Sequence, residues 1–227
     1  MGINESYTKY YLEKKHKRLY PTEFVVRAFL AKYPRLNLDK SKYLHARILD
    51  LGFGDGRNSG FLCDQGFEVH GVEISDDIVS SAQTRLSELG YEVNFVVGRN
   101  RAIPFKNDFF DYLLACHACY YLDEGDDFTV NLREISRVLK TDGTFVGSIP
   151  MEGNHYFSGA EDLGNGIKRI RNDYYGVRNG SLVMGISSED QLVKFLSPYF
   201  KNIRLGMCDN DFWGVREKVM TFVCEAV

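Results

Sequence analysis

The sequence predicts an α/β protein, a seven-stranded and mostly parallel sheet with helices on both faces. Three observations predict it. Between residues 47 and 149, short apolar runs alternate with stretches of helical periodicity, the pattern of repeated strand–helix units. The first run, Ile48-Leu49-Asp50-Leu51, breaks into Gly52-Phe53-Gly54-Asp55-Gly56 and then continues into Phe61-Leu62-Cys63, which reads as strand, Gly-rich turn and helix. Two further strand-like runs, 200–208 and 218–227, close the chain as a hairpin.

Composition narrows the class. A chain of 227 residues can bury a full core as one domain. The formal net charge of −3 gives no electrostatic case for nucleic acid or an anionic membrane as partner. No apolar run approaches the ~20 residues that span a bilayer, and the polar, Tyr- and Lys-rich N-terminus holds no apolar signal segment. Five scattered cysteines fit a reducing compartment better than a disulfide framework. The expectation is a cytoplasmic protein, monomer or homodimer.

Residues 1–20 carry four tyrosines beside the basic run Lys14-Lys15-His16-Lys17-Arg18, which reads as the wet face of a helix. Pro21 suits the first turn of a second helix, Phe24, Val25, Ala28 and Phe29 share one of its faces, and Pro34 ends it. The two helices are expected to cap the mouth of the sheet. A polar linker leads to the first strand, Arg47–Leu51, and Gly66 ends the helix after the glycine turn. A second strand, 67–73, stops on Glu73. Ser75 suits the cap of the next helix, with Asp76 and Asp77 in its first turn; Ile78, Ala82, Leu86 and Leu89 repeat along it and Gly90 ends it. Strands follow at 92–97, 112–116 and 145–149. The helix before the last of these buries Phe128, Leu132, Ile135 and Leu139, and Asp142-Gly143 supplies the left-handed residue expected to end it. Residues 167–177 and 181–186, joined around Asn179-Gly180, read as a β-hairpin. Ser188 and Gln191 form a capping box ahead of Leu192, Phe195 and Leu196; Pro198 stops that helix, and 209–213 lies between the closing strands.

The glycine turn carries the chemistry. A ligand approaching the backbone there would be blocked by a Cβ, and the following helix turns its free N–H groups toward it. A dinucleotide fingerprint requires a third glycine at 57, where this chain has Arg57. The pattern is instead Asp50-x-Gly52-x-Gly54-x-Gly56, which resembles motif I of the class I S-adenosylmethionine (SAM) methyltransferases. Gly98-Arg99-Asn100-Arg101-Ala102-Ile103-Pro104-Phe105 with Phe110-Asp111 resembles a second passage of that family, and Glu134 to Gly143 resembles its E-x-x-R-V-L-K-P-G-G helix and turn. The resemblance covers roughly residues 45–150. It implies a Rossmann-like class I methyltransferase fold whose last strand is antiparallel. One domain is expected, comprising a helical cap (1–44), a SAM-binding core (45–150), a variable acceptor or lid segment (151–187) and a closing helix and hairpin (188–227).

The resemblance further implies SAM as cofactor, S-adenosylhomocysteine as product, and in-line methyl transfer to an O or N atom of a small-molecule acceptor. The implied cofactor site takes Asp50, Gly52, Phe53, Gly54, Gly56 and Asn58 from the turn. Glu73 would accept both ribose hydroxyls, a task suited to an acceptor-only carboxylate, and Ile74 would lie on the adenine. Where the family holds the adenine amine with Asp, this chain has Arg99, which cannot accept a hydrogen bond. Asn100 or a backbone carbonyl takes that place, leaving Arg99 and Arg101 for the surface or for drawing in an anionic substrate. Tyr11 and Tyr20 are assigned to the sulfonium, which a ring face attracts. Cys116 and His117 end the fourth strand, where ligands of open α/β sheets sit. His117 is a candidate general base and His155 a second. Cys116-x-x-Cys119 has no second pair to complete a zinc site, so no metal is expected. Two alternatives stay open, an NAD(P)-dependent oxidoreductase, which Arg57 disfavours, and a non-catalytic SAM-fold protein using the aromatic surface of 151–187 to bind a partner.

Overall fold

The computed structural model describes residues 3–12 and 20–227, with side chains from Glu5 onward in the first segment. The basic run 14–18 lies outside these residues. Two helices come first, α1 (Ile3–Leu12) and α2 (Glu23–Leu30). Then follow β1 (Arg47–Leu51), α3 (Arg57–Asp64), β2 (Glu68–Glu73), α4 (Asp76–Glu88), β3 (Val93–Val97), β4 (Phe110–Ala115) and β5 (Tyr121–Leu122). Next are α5 (Phe128–Val138), β6 (Leu139–Pro150), β7 (Glu161–Asp162), β8 (Ile167–Arg169), β9 (Leu182–Met184), α6 (Glu189–Leu196), β10 (Phe200–Phe212) and β11 (Val215–Ala226).

The main sheet has seven strands in the order β10-β11-β6-β4-β1-β2-β3. β1, β2, β3, β4 and β6 pair in parallel, while β11 runs antiparallel to both its neighbours. The chain therefore reverses direction of travel across the sheet at β1/β4, the switch point where such folds open a crevice beyond the strand ends. Side chains alternate across the sheet as period 2 demands. Ile48, Leu114 and Val146 pack with Val25 and Phe29 of α2 and Leu62 of α3. Leu49, Leu51, Leu113 and Phe145 pack with Leu132 and Ile135 of α5 and Leu192 and Leu196 of α6. The central strands β1, β4 and β6 are thus apolar on both faces, which explains their hydrophobic runs.

Several local expectations change. α2 buries Val25, Ala28 and Phe29 against the sheet face, and among the described residues α1 is the helix laid over the cleft mouth. Pro21 precedes the cap residue Thr22 instead of entering the first turn, and α2 stops at Leu30, before Pro34. Ser75 makes no side-chain cap, since its hydroxyl accepts from Thr8 of α1. α5 ends where Leu139 turns extended into β6; the left-handed residue is Asp142 itself, inside that strand. Gln191 takes the N–H of Ser187, one residue outside the expected box. β10 and β11 extend through 209–212 to a two-residue turn at Trp213-Gly214, where both residues have positive φ as a tight hairpin requires.

The region read as one hairpin is a second, four-stranded sheet, β5-β9-β8-β7. Only Ile167–Arg169 and Leu182–Met184 pair there as strands; residues between them form a loop. β5 joins this sheet through Tyr121 opposite Val183, which ties the variable segment to the end of β4. Asn131 of α5, 1% exposed, donates to the carbonyls of Cys119 and Tyr121 and so fixes the connection. No helix among the described residues is long and apolar enough to cross a membrane. Asn131→Ala strands the Cys119 carbonyl in the interior and leaves that of Tyr121 to Asn100, and urea unfolding is expected to show a loss of about 1–3 kcal/mol.

Candidate functional site

A cleft of about 470 Å³ opens beyond the carboxyl ends of β1, β2 and β4. One wall is the glycine turn and the end of β2, with Gly52, Phe53, Asp55, Arg57, Asn58, Glu73 and Ile74. The other is built from Cys116, His117, Tyr121, Tyr156 and Arg178, and Tyr7, Tyr10 and Tyr11 of α1 close over both.

The turn is shaped by positive φ at Gly52 (73°) and Gly54 (57°). A Cβ on Gly52 would stand 2.5 Å from that of Ala118, so the β1 and β4 ends approach only because it is absent. A Cβ on Gly54 would stand 2.5 Å from the Tyr11 ring. Tyr11 therefore rests on the main chain of Gly54, where open space for a ligand was expected, and the open cleft begins at Gly52 and Phe53. Gly54 and Gly56 lie behind this wall, Gly56 as the N-cap residue of α3. Asp50 also lies behind it, 1% exposed. Its carboxylate accepts from Ser59 of α3 at 2.6 Å and braces the turn.

Glu73 sits where the acid was expected, 9% exposed and on the cleft. Oε1 accepts from the Gly54 N–H at 3.2 Å and Oε2 from that of Ile74 at 2.8 Å. Burial raises its pKa, and these two N–H groups pull it partly back. Each oxygen keeps a lone pair, so two hydroxyls can still be accepted. Burial, then the nearby Glu73 and Asp55, hold the Tyr11 phenol well above its usual range, so its ring stays neutral.

The remaining candidates separate. Asn100 spends its amide N–H donors on the carbonyls of Ala118 and Tyr121, leaving its own carbonyl as an acceptor at the cleft. Asn58 uses its carbonyl on the Thr22 N–H. Arg99 reaches the cleft but is paired to Asp123 at 2.7 Å. Arg101 is paired to Asp126 and stands off the cleft. Tyr20 is 73% exposed and also outside it. Burial pushes the Cys116 thiol up to about 12, so it is no nucleophile at neutral pH.

The two histidines are poor bases in this setting. His117 lines the cleft with φ of 56°. Ser148 Oγ accepts its backbone N–H at 2.9 Å and meets its Nδ1 at 3.2 Å. Burial, then the Arg178 charge, lowers His117 to about 4, so the neutral ring has little affinity for a proton. His155 stands outside the cleft and donates Nδ1–H to the Arg216 carbonyl.

Sequence reasoning missed Tyr7, Tyr10, Tyr121 and Arg178 as cleft residues. Tyr7 was legible as one of a cluster. Arg178 was not, since it arrives from a loop with no periodic pattern. Arg57 was noted only for not being glycine; it forks onto Asp55 through Nε and Nη2 at 2.8 and 2.5 Å.

A seven-stranded sheet of this order, with a glycine turn and a strand-end acid on one cleft, is the Rossmann-like class I methyltransferase fold. Residues 49–147, somewhat less than half of the chain, match the family model described as a methyltransferase domain. The uncharacterized methyltransferase YcgJ of Bacillus subtilis is 33% identical over 101 residues, 44% of this chain and 39% of that protein. The chain thus spans well under half of that relative. A SAM-dependent methyltransferase from Methanosarcina mazei shares the fold with TM-score 0.67 at 19% identity, over 87% of this chain and 99% of that one. So does the 1,6-didemethyltoxoflavin-N1-methyltransferase of Burkholderia thailandensis, solved with its substrate and S-adenosylhomocysteine, with TM-score 0.60 at 18% identity over 81% and 72% of the two chains.

The His117 environment sets a pH test. Its folded pKa, about 4, lies below the ordinary 6.5, so its contribution is full above 6.5 and is lost as pH falls toward 4. The ring edge reaches the cleft, so about 3 kcal/mol is an upper bound on that loss. Asp50 acts oppositely; pushed up to about 7, it contributes most below 3.8 and least above 7. His117→Asn, chosen because Asn tolerates positive φ, removes only the first effect. Thermal melts from pH 7 to 4 are expected to show the variant gaining on wild type as pH falls.

Proposed function

We propose that this chain transfers the methyl group of SAM to an oxygen or nitrogen of a small organic acceptor, with donor and acceptor meeting between Glu73 and Tyr121. One observation carries the reading. A buried carboxylate stands at the end of β2 beside a side-chain-free turn, with one lone pair left on each oxygen. A ribose edge presents two hydroxyl donors, which is what that carboxylate lacks. Asn100 offers its amide carbonyl for the adenine amine, and Ile74 and Phe53 supply apolar faces for the base. The rings of Tyr7, Tyr10 and Tyr11 suit the sulfonium, which a π face attracts. Tyr11 must slide from Gly54 for the donor to seat against the main chain, so α1 is the element that opens and closes.

Bound SAM supplies an electrophilic methyl on a good leaving group, and the chain's own contribution is positioning. Oriented approach of two bound molecules is worth several kcal/mol without any covalent help from the protein. α1, laid over the cleft through Tyr7, Tyr10 and Tyr11, is the element that would keep bulk water from the bound donor. His117, neutral at pH 7, shapes the wall and offers no strong base. An acceptor atom that arrives unprotonated suits this arrangement.

Calorimetry with SAM tests the reading. Binding in the micromolar range is expected, and its absence would count heavily against a methyltransferase. Glu73→Ala is expected to weaken SAM by about 2–4 kcal/mol, two charge-assisted bonds being lost. An unchanged affinity in a folded variant would remove Glu73 from the ribose.

A further inference from the structure

We propose that the inner end of the cleft is a carboxylate-binding site built on Arg178 and Tyr121, and that the methyl acceptor is a small, flat organic acid. The word acceptor rests on the methyltransferase reading; the site itself does not.

The loop between β8 and β9 folds around Asp173, whose side chain is fully buried. Its Oδ2 accepts from the backbone N–H groups of Val177 and Arg178, at 2.9 and 3.2 Å. Its Oδ1 accepts from Arg178 Nη1 at 3.0 Å. Arg178 is thereby fixed at both its backbone and its head. Nε donates to Tyr121 Oη at 3.2 Å, and the guanidinium lies 4.3 Å above the centre of the Tyr156 ring.

A guanidinium has five N–H donors. Two are spent, and among the described residues the other three have no acceptor. The side chain is 20% exposed and lines the cleft. Tyr121 Oη already receives two hydrogen bonds, from Arg178 and from Tyr7 at 2.7 Å, so its own proton is left to be donated elsewhere. Ser181 of the same loop keeps a buried hydroxyl with no partner. Partly buried donors without acceptors are rare and mark a place where a ligand completes the bonding.

What is missing is an acceptor with two or more oxygens. Asp173 balances the Arg178 charge, so recognition here rests on unspent donors in a fixed fork more than on net field. A carboxylate matches that fork in the planar, two-point manner that favours Arg over Lys. Rings of Tyr7, Tyr121 and Tyr156 offer flat apolar walls for the rest of the molecule. Arg99 and Arg101, the cations the sequence suggested for an anionic substrate, are both engaged by aspartates. Glu217 also lines the cleft and is the group that an amine would choose.

Benzoate and benzylamine serve as matched flat probes, followed by ligand-observed NMR on the full chain with S-adenosylhomocysteine present. Benzoate is expected to bind and benzylamine not. Arg178→Lys keeps a partner for Asp173 yet loses the fork, and is expected to weaken benzoate about tenfold. Tyr121→Phe is expected to weaken it about threefold or more. Circular dichroism melts on the same samples establish that both variants are folded. Benzoate binding that is undetectable up to roughly 20 mM, or equal in wild type and both folded variants, overturns the site. So does binding of benzylamine in preference to benzoate, which assigns the end of the cleft to Glu217. SAM calorimetry on the same protein separates the two claims: benzoate bound without SAM sinks the methyltransferase reading alone, and SAM bound without benzoate sinks this one alone.

Discussion

The buried carboxylate of Glu73 is the interaction on which the cleft depends. A charge at the end of an interior strand is tolerated only when its oxygens are satisfied. Here the Gly54 and Ile74 N–H groups do that, one from the turn after β1 and one from its own strand end. The bond to Gly54 holds the turn against β2, and the turn keeps its shape only because positive φ is free at glycine. Asp50 and Ser59 brace the same turn from behind. Carboxylate, turn and helix start are thus one rigid unit, with α1 laid over it as the part that can move.

The opposite wall is held by a different kind of chemistry. Side-chain amides pin the chain after β4: Asn131 takes the carbonyls of Cys119 and Tyr121, and Asn100 those of Ala118 and Tyr121. Tyr121 then pairs with Val183 and receives hydrogen bonds from Tyr7 and Arg178. Two separate parts of the chain, α1 and the β8–β9 loop, thus converge on that phenol, while Asn100, Asn131 and β9 hold its main chain. The variable segment is therefore less a loose lid than a second small sheet fastened to the switch point of the first.

The main sheet was legible because its information is periodic. Apolar runs bounded by glycine and acid read as buried strands, and all seven were found, although β6 begins six residues before its expected start and β10 ends four residues past its expected end. Glu73 was legible because the second strand stops on an acid at the place where the family resemblance puts the ribose acceptor. The errors fall where one side chain makes a local bond that no period encodes. Thr8 takes the Ser75 hydroxyl that looked like a cap. Asp173 organises a loop that looked like a strand. Tyr20 looked equivalent to Tyr11, but the structure leaves it exposed while Tyr11 sits on Gly54. Arg178 and Tyr121 are 57 residues apart, and nothing in either neighbourhood announces that they meet.

The two walls together say something about the nucleophile. A neutral imidazole held near 4 cannot draw a proton from an alcohol or an ammonium at neutral pH without a steep penalty. His155 faces a carbonyl elsewhere, and the Cys116 thiol is held protonated. Among the described residues the inner wall of the cleft is thus rich in donors, and neither histidine nor the thiol supplies it with a strong base. Such a wall favours a molecule that brings its negative charge with it. On the methyl-transfer reading proposed above, an atom already carrying a lone pair needs only to be aimed, and the rigid unit around Glu73 and the fastened phenol of Tyr121 would supply that aim.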